Sequence, residues 1–298
     1  MSAKASDTAT STTSKSPASK RGKAKDSGKK SKEKETLANR ADKYECYLQS
    51  VQDPAHEVKT LRRLYKEVRG AKPRTLREDF CGSFAVCCEW ARSGKEQEAW
   101  GVDYDAEPLQ WGSERNLSSL GPGAQQRVHV VQGDVRTAKT PKVDIVTAQN
   151  FSYYIFRERE EMRRYFRNVH KHLVDDGVFI LDMLGGPQVQ EDDEEEKRKV
   201  GKFIYVWHQE RFNPINHGAL FHIHFEFKDG SRIEKAFTYD WRLWTMPEIR
   251  EILAEAGFSK THVFWEDEDE NGEGNGRYYR TEDAPADLTW LAYIVAER

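Results

Sequence analysis

Between residues 75 and 181, short apolar segments alternate with segments whose apolar residues recur at every third or fourth position. The short segments have the length and composition of strands and lie at 75–79, 99–103, 127–132, 143–148 and 178–181. The periodic segments predict helices at 84–92, 107–116 and 157–173. Strands separated by helices of about 10–15 residues are typical of βαβ units around a parallel sheet. The pattern therefore predicts an α/β domain.

Two helices are predicted ahead of this domain, within residues 37–73. Apolar residues from Leu37 to Leu48 follow helical spacing and predict a first helix that ends near residue 50. Asp53 can cap a second helix that has Pro54 at its first position. Gly70 is expected to end that helix.

The pattern changes to a period of two after Gly185. Apolar and polar residues alternate at 203–212, 220–228 and 233–243, and the pair Asp229-Gly230 is a strong hairpin signal. We therefore assign 187–244 to an antiparallel β insertion. The acidic run at 191–196, which precedes the first of these strands, is expected to be a solvated loop.

Helical and strand patterns return after the insertion, at 247–256, 260–265 and 288–296. An acidic loop with several glycines, 266–276, separates the last two strands without a helix, so we expect an antiparallel hairpin. Segments 74–186 and 245–298 are thus predicted to form one domain that the insertion interrupts.

Charge is distributed unevenly along the 298 residues, although the net charge is only −3. Residues 1–36 carry ten basic and four acidic side chains, so the rest of the chain has a net charge of −9. Except for Met1, the apolar residues of 1–36 are alanines, and this segment is predicted to be a disordered basic tail. The acidic remainder argues against a nucleic-acid partner.

Composition also excludes several classes of protein. No apolar stretch approaches the roughly 18 residues of a transmembrane helix, and no secretory signal is expected. The four cysteines have no CxxC spacing, so neither a zinc site nor a disulfide framework is indicated. A cytoplasmic protein without a membrane partner is the prediction.

Acidic residues follow each of the first three predicted strands, where an open α/β sheet binds its ligand. They are Glu78 with Asp79, then Asp103, then Asp134. Asp103 stands 21 residues after Gly82, a spacing at which a carboxylate usually accepts hydrogen bonds from a ribose. The turn has a single glycine, and its carboxylates would repel a pyrophosphate. A nucleoside with a positive centre is therefore favoured, although Glu78 and Asp79 can also be read as acids that cap a helix.

These segments resemble the motifs of class I S-adenosylmethionine-dependent methyltransferases, over about residues 76–185. The matching segments are 76–83 (LREDFCGS), 101–103 (GVD), 132–135 (QGDV), 144–146 (DIV) and 175–179 (DDGVF). The resemblance implies a Rossmann-like, doubly wound, seven-stranded α/β fold and S-adenosylmethionine as the cofactor. Phe80 and Phe84 stand where the family commonly has glycines, and Glu78 replaces the commoner Asp.

The resemblance also implies which residues bind the cofactor. The acid after the second strand would bind the ribose, the acid after the third would meet the adenine, and the N-terminal helices of 37–73 would form a lid. The implied cofactor-binding residues are Tyr44, Glu78, Phe80, Cys81, Gly82, Asp103, Tyr104, Gly133, Asp134, Val135 and Gln149.

Catalytic candidates lie just beyond the fourth strand, at Asn150, Ser152 and Tyr153. The sulfonium of the cofactor is already activated, so placement of the nucleophile supplies much of the catalysis and no triad is needed. The segment 150–153 is faintly similar to the Asn-Pro-Pro-Tyr loop of amino-methylating members of the family. These residues can alternatively serve only to cap the strand.

The antiparallel insertion resembles those of small-molecule N-methyltransferases, where added strands cover the acceptor pocket or join two subunits. Its aromatic residues form either a wall for a cationic amine or ordinary core, and they are Tyr205, Trp207, Tyr239, Trp241 and Trp244. His222 and His224 share one strand face, with His208 or His217 as a possible third metal ligand. Solvent-facing or substrate-facing histidines are favoured, and no metal site is predicted.

The function predicted from the sequence is methyl transfer from S-adenosylmethionine to a small-molecule acceptor, at an amine nitrogen, with a possible homodimer formed through the insertion. The alternatives are a protein or nucleic-acid methyltransferase and a non-catalytic relative that only binds the cofactor. A nicotinamide-dependent dehydrogenase is disfavoured, because the phosphate-binding loop of such enzymes is missing.

Overall fold

An eight-stranded sheet and a four-stranded sheet organise the computed structural model, which describes residues 35–270, 272 and 274–298. The predicted tail at 1–36 lies outside the described residues except for its last two positions. The helices are α1 (Leu37–Arg40), α2 (Lys43–Ser50), α3 (Pro54–Arg69), α4 (Ala85–Arg92), α5 (Ala106–Arg115), α6 (Pro122–Gln125), α7 (Arg159–Lys171) and α8 (Met246–Ala256). The strands are β1 (Thr75–Asp79), β2 (Glu98–Asp103), β3 (Val128–Gln132), β4 (Val143–Ala148), β5 (Leu173–Gly185), β6 (Glu194–Val200), β7 (Phe203–Asn213), β8 (Gly218–Phe227), β9 (Arg232–Arg242), β10 (Lys260–Glu268), β11 (Gly274–Thr281) and β12 (Trp290–Glu297).

The large sheet has the strand order β11-β10-β12-β5-β4-β1-β2-β3. Strands β1 to β5 pair in parallel, and β12, β10 and β11 add antiparallel strands at one side. The α/β class with a doubly wound parallel sheet is confirmed, and so is the antiparallel pairing of β10 with β12. The sheet has eight strands rather than seven, because part of the expected loop 266–276 extends β10 and starts the edge strand β11.

Helices cover both faces of the large sheet and bury its apolar side chains. On one face, α3 and α4 contribute Leu61 and Trp90 to a cluster with β1, β5 and β12. On the other face, α7 and α8 contribute Phe166 and Ile252. Each such side chain stabilises the fold by roughly 1.5–3 kcal/mol through burial. Within the described ranges, no helix is long and apolar enough to cross a membrane.

The N-terminal segment contains two short helices where the spacing predicted one. Ala41 is extended, and the Asp42 side chain accepts hydrogen bonds from the backbone N–H groups of Tyr44 and Glu45, which starts α2 afresh. The other carboxylate oxygen of Asp42 accepts a hydrogen bond from the indole N–H of Trp111 on α5, at 2.6 Å. Asp42 therefore both starts α2 and connects it to α5 of the large domain.

The insertion is a four-stranded antiparallel sheet with the order β6-β7-β8-β9, hereafter the small sheet. Strands β7, β8 and β9 confirm the period-two pattern. Strand β6 was not predicted: its residues 194–196 belong to the run that was expected to be a solvated loop, and this expectation was wrong. A two-residue connection, Gly201-Lys202, joins β6 to β7, and Gly201 has a φ of 52°.

The two faces of the small sheet differ in chemistry. On β8, Phe221, Ile223 and Phe225 point to one side, and His222 and His224 point to the other. The phenylalanine side, which we call the inner face, packs against α2 and the large domain. The outer face carries charged side chains around the histidines.

Candidate active site

The turn after β1 is built from residues in the left-handed backbone region. Phe80, Gly82 and Phe84 have φ angles of 58°, 50° and 45°. This conformation suits glycine, and it costs a residue with a side chain on the order of 1 kcal/mol. The two phenylalanines therefore hold the backbone that glycine would favour. Their rings offset part of the cost, because Phe84 is fully buried and Phe80 packs on Tyr165.

Two glycines allow neighbouring elements to approach this turn closely. A Cβ at Gly112 of α5 would lie 2.3 Å from the carbonyl oxygen of Ser83, and a Cβ at Gly101 of β2 would lie 2.9 Å from Sγ of Cys81. No other residue fits at such distances without a shift of the backbone or the thiol. The turn is thus held between β2 and α5.

Asp103, at the end of β2, fixes the turn through its side chain. Its Oδ2 accepts a hydrogen bond from the backbone N–H of Gly82 at 2.7 Å, and its Oδ1 accepts one from the N–H of Asp105 at 2.9 Å. Burial raises the pKa of Asp103, and these backbone donors oppose that rise. A carboxylate placed in this way has further lone pairs for the hydroxyls of a ribose.

Carboxyl groups accumulate at this edge of the large sheet. Burial raises the pKa of Glu78 to about 8 and the pKa values of Glu57 and Asp182 to about 7. Repulsion adds to the effect, because Asp182 acts on Glu57, and both Glu57 and Asp103 act on Glu78. Oε2 of Glu57 is buried and has no hydrogen-bond partner among the described residues. A ligand with positive charge would relieve this repulsion.

The turn after β4 is also strained and is held by a carboxylate. Asn150 and Phe151 have φ angles of 57° and 54°, and their backbone N–H groups donate to Asp182 of β5 at 2.7 and 2.9 Å. Asp182 was not among the residues predicted from the sequence. Its signal was an acidic residue inside the otherwise apolar run of β5, since such a residue needs specific partners when it is buried.

A cavity of about 650 Å³ lies between the turn after β4 and the inner face of the small sheet. This volume is within the usual range for small-molecule sites. Six aromatic residues line the cavity: Tyr47, Phe151, Tyr205, Trp207, Tyr239 and Trp241. Four glutamates also line it, at positions 191, 194, 195 and 196, although the carboxylate of Glu195 turns to the outer face and binds Arg232. Among the described lining residues, Arg198 is the only basic one. Aromatic faces and carboxylates together favour an organic cation.

Residues 79–181 match a protein-family model that is described as a methyltransferase domain. The chain therefore contains a methyltransferase domain. No curated protein sequence matches it significantly.

Solved structures of methyltransferases share the fold over nearly their whole length. An S-adenosylmethionine-dependent methyltransferase from Clostridium acetobutylicum has a TM-score of 0.62 at 15% identity, with 85% of this chain and 96% of that chain covered. An amino pentose methyltransferase from Micromonospora echinaspora, solved with S-adenosylmethionine bound, has a TM-score of 0.62 at 18% identity and coverages of 87% and 97%. A sugar N-methyltransferase from Streptoalloteichus has a TM-score of 0.58 at 18% identity and coverages of 87% and 93%.

The first acids of the methyltransferase domain point into the protein. Oε2 of Glu78 accepts hydrogen bonds from the backbone N–H and the Sγ of Cys87, in the first turn of α4, at 3.2 and 3.0 Å. This contact agrees with the alternative in which Glu78 caps a helix. Asp79 does not cap α4, because its fully buried carboxylate pairs with Arg77 at 2.7 Å and accepts the Tyr165 hydroxyl at 3.0 Å.

Asp134 is paired in the methyltransferase domain rather than free. The guanidinium of Arg136 donates to both carboxylate oxygens of Asp134 and also binds Glu161. The Arg136 guanidinium holds the pKa of Asp134 below its usual range. An adenine amino group that donated to Asp134 would have to share its carboxylate oxygens with Arg136. Gly133 lies next to Asp103, the acid expected to bind the ribose, because its backbone N–H donates to the Asp103 carbonyl at 2.8 Å.

The remaining predicted cofactor contacts are spread around this edge. Tyr44 of α2 lies between Trp111 of α5 and Phe237 of β9, with ring centroids 5.7 and 5.8 Å away. Tyr104 is 79% exposed at the tip after β2. Cys81 and Val135 are buried, and burial raises the pKa of the Cys81 thiol. The structure thus brings Phe80, Cys81, Gly82, Asp103 and Gly133 together, with Tyr104 at the rim.

The structure does not support a catalytic role for Tyr153. The side chain is fully buried, and its hydroxyl donates to the backbone carbonyl of Asp182 at 2.8 Å. Gln149 is similarly buried, between Thr147 and the hydroxyl of Tyr293. Ser152 donates its hydroxyl to the Gln149 carbonyl at 2.8 Å, as a capping residue does. Of the three catalytic candidates, Asn150 lines the cavity.

Trp244 follows the alternative of ordinary core, because it is buried against the large domain and its indole N–H donates to the Phe156 carbonyl at 3.1 Å. The expectation for the histidines of the insertion was wrong. His222 and His224 face neither solvent nor the cavity: charged side chains cover them on the outer face, and they are 2% and 3% exposed. His208, rather than His217, lies beside them.

Proposed function

We propose that this methyltransferase methylates an amine nitrogen of a small molecule that binds in the cavity between the two sheets. The observation that carries the proposal is the composition of the cavity, in which aromatic walls meet a carboxylate-rich rim. A protonated amine is attracted by both features through its charge, whereas a neutral hydroxyl acceptor has no charge for them to attract. The sugar and glycopeptide N-methyltransferases among the structural neighbours support the same chemical class.

The carboxyl ends of β1, β2 and β3 form one edge of the large sheet, which we call the cofactor edge. Its residues fit S-adenosylmethionine, which supplies an electrophilic methyl group on a sulfonium. Asp103 would accept the ribose hydroxyls. The repulsion among Glu57, Glu78 and Asp182 fits a ligand that carries a sulfonium and an ammonium, and the unpartnered oxygen of Glu57 offers a place for one of these charges. Glu57 was not found from the sequence, since an acid in the first turn of α3 is expected for the helix dipole alone.

The chain's own contribution to the reaction is placement and proton removal. Trp207 and Tyr239 hold the acceptor against the turn after β4, where Asn150 and Phe151 form the floor. The amine must be neutral when it attacks. Glu196 lies opposite Trp207 in the pairing of β6 with β7, and its carboxylate is placed to accept the proton at the cavity mouth. Alignment of the nucleophile then supplies much of the rate enhancement.

The acceptor class is tested with paired substrates and labelled S-adenosylmethionine. An amino sugar and the sugar that has a hydroxyl at the same carbon are incubated with the purified chain, in parallel with fractionated cell extract. We expect the label in the amino sugar and in small-molecule fractions. Label confined to hydroxyl acceptors, to protein or to nucleic acid would contradict the proposal.

The cavity is tested with a matched pair of tryptophan variants. Trp207→Leu removes an aromatic wall and should raise KM for the amine by about tenfold, as expected for a lost cation–π contact and packing, with KM for the cofactor unchanged. Trp100→Leu is the control, since Trp100 is partly buried on β2 and stacks on His129 away from the cavity. Equal effects of the two variants on KM for the amine would place the acceptor elsewhere.

A further inference from the structure

Three histidines cluster on the outer face of the small sheet, outside the cavity. His208 of β7 lies opposite His222 and diagonal to His224 of β8, with ring centroids 5.8 and 5.6 Å from its own. On its other side, His208 lies opposite Glu195 of β6. One donor atom from each of Glu195, His208 and His224 lies within 4.8 Å of the other two.

Two of the ring nitrogens in this cluster are buried without a partner among the described residues: Nδ1 of His208 and Nε2 of His224. His224 is 3% exposed, so its free nitrogen is shielded from water. Such an unpaired polar atom is costly unless something binds it.

The opposite nitrogens of both rings face carboxylates. Nδ1 of His224 is 2.7 Å from Oε2 of Glu234, and Nε2 of His208 is 3.5 Å from Oδ1 of Asp193. A carboxylate behind a histidine holds the proton on the near nitrogen and leaves the far nitrogen as a lone-pair donor, which is the usual second sphere of a histidine metal ligand. The backbone N–H of Lys235 also approaches Nδ1 of His224, at 3.1 Å, as a weaker competitor of that arrangement.

Charge on this face also favours a cation. Five carboxylates surround the histidines, and three basic side chains pair with them: Asp193, Glu195, Glu210, Glu226 and Glu234 against Lys197, Arg232 and Lys235. Glu195 itself binds Arg232 at 3.0 Å and Lys197 at 3.2 Å, and a metal would compete with these two contacts. Among these paired side chains, carboxylates outnumber basic groups by two, which favours a cation.

We propose that Glu195, His208 and His224 bind one divalent transition-metal ion of the zinc class on the outer face of the small sheet. Two imidazoles and a carboxylate suit zinc, and a water can complete a four-coordinate site. Donor atoms around tetrahedral zinc lie about 3.3 Å apart, so donor atoms that are up to 4.8 Å apart must close by as much as about 1.5 Å, to which rotation of the exposed Glu195 can contribute. The ion would fasten β6, which also bears the cavity-mouth glutamates, to β7 and β8.

The test is metal binding by the full chain without an affinity tag. Zn²⁺ is titrated by calorimetry and Co²⁺ by the visible absorption of a four-coordinate site. We expect one equivalent at micromolar strength, and a Tm that rises with Zn²⁺. His208→Gln and His224→Gln should each weaken Zn²⁺ binding at least about tenfold. His222→Gln is the matched control, since that buried histidine has Thr238 and Glu210 as partners for its two nitrogens.

A further variant protects the test against misfolding of the histidine variants. Glu234→Gln keeps both proposed ring ligands and should still lower the affinity for Zn²⁺ by about tenfold. The proposal would be overturned if His222→Gln weakened Zn²⁺ binding as strongly as His224→Gln does. So would the absence of binding by the wild-type chain at sub-millimolar free Zn²⁺. Neither result bears on the methyl acceptor, because the readouts are metal affinity and Tm.

Discussion

The two sheets contribute to the candidate active site in different ways. The large sheet contributes backbone: strained turns after β1 and β4, each fixed by hydrogen bonds to one buried or half-buried carboxylate, Asp103 or Asp182. The small sheet contributes side chains, which alternate between an aromatic inner face and a charged outer face. The proposed cofactor side is thus built largely from backbone groups, and the proposed acceptor side is built largely from side chains.

The same contrast holds for ion pairs. Arg77 and Asp79 in the large sheet are both fully buried, whereas Lys197 and Glu226 in the small sheet are 46% and 24% exposed at their side chains. A buried charge that loses its partner is far more costly than an exposed one, because water cannot replace the partner. Three predictions test how far this difference in burial governs the two regions.

The largest effect is expected from Arg77→Met. It leaves the Asp79 carboxylate buried, with the Tyr165 hydroxyl as a remaining donor, and should lower the free energy of unfolding by about 3–5 kcal/mol. Lys197→Met, the control in the small sheet, should cost less than about 1 kcal/mol. Urea denaturation of both variants measures the difference. Losses of equal size would show that burial does not separate the two sheets.

A smaller effect concerns the pH dependence of stability. Burial raises the pKa of Glu78 from its ordinary 4.5 to about 8, so the folded state keeps a proton that the unfolded state has lost. This contribution to stability is complete below about pH 4.5 and is lost as the pH rises toward 8. From pH 5 to 8, the free energy of unfolding of the wild-type chain without cofactor should fall by on the order of 2 kcal/mol more than that of the Glu78→Gln variant.

The control for that experiment is Glu114→Gln, which makes the same chemical change at an exposed position of α5. Its unfolding free energy should follow the wild-type slope with pH. A Glu78→Gln variant whose slope equals that of the control would mean that Glu78 is ionised in the folded chain.

The smallest effect is expected at the ribose side of the cofactor edge. Asp103→Ala removes an acceptor of ribose hydroxyls and the bond to the Gly82 N–H, and should weaken S-adenosylhomocysteine binding about tenfold or more. Asp105→Ala removes only the cap of α5 and should leave this affinity unchanged. Calorimetric titration distinguishes the two, and equal affinities would move the ribose partner away from Asp103.

The sequence was sufficient for the parallel domain, because each of its elements has a strong local signal. Apolar strands and amphipathic helices alternate there, and the carboxyl ends of β1, β2 and β3 bring Gly82, Asp103 and Gly133 to one edge. Partners from distant elements were beyond such reasoning. The carboxylate of Asp182 on the Asn150 N–H, and its backbone carbonyl on the Tyr153 hydroxyl, join β5 to the turn after β4, which no local pattern reports.

The two unpredicted strands share a physical reason. In β6 the sequence Glu-Glu-Glu-Lys-Arg-Lys-Val has no apolar alternation, because an edge strand with exposed side chains is held mainly by its backbone hydrogen bonds to β7. Strand β11 is similarly exposed at the edge of the large sheet. The Gly201-Lys202 pair was the local feature that could have predicted β6, since a two-residue turn with glycine joins two antiparallel strands.

Strand β6 also bears on how copies of this chain meet. An open strand edge offers unpaired N–H and C=O groups to any other extended segment, and charged residues on it discourage such pairing. Six of the seven residues of β6 are charged. The glutamates at the mouth of the cavity therefore have a second consequence: with the basic residues that follow them, they discourage pairing of β6 with a neighbouring molecule. The other edge of the small sheet is β9, so a dimer through the insertion would have to use that edge or a face.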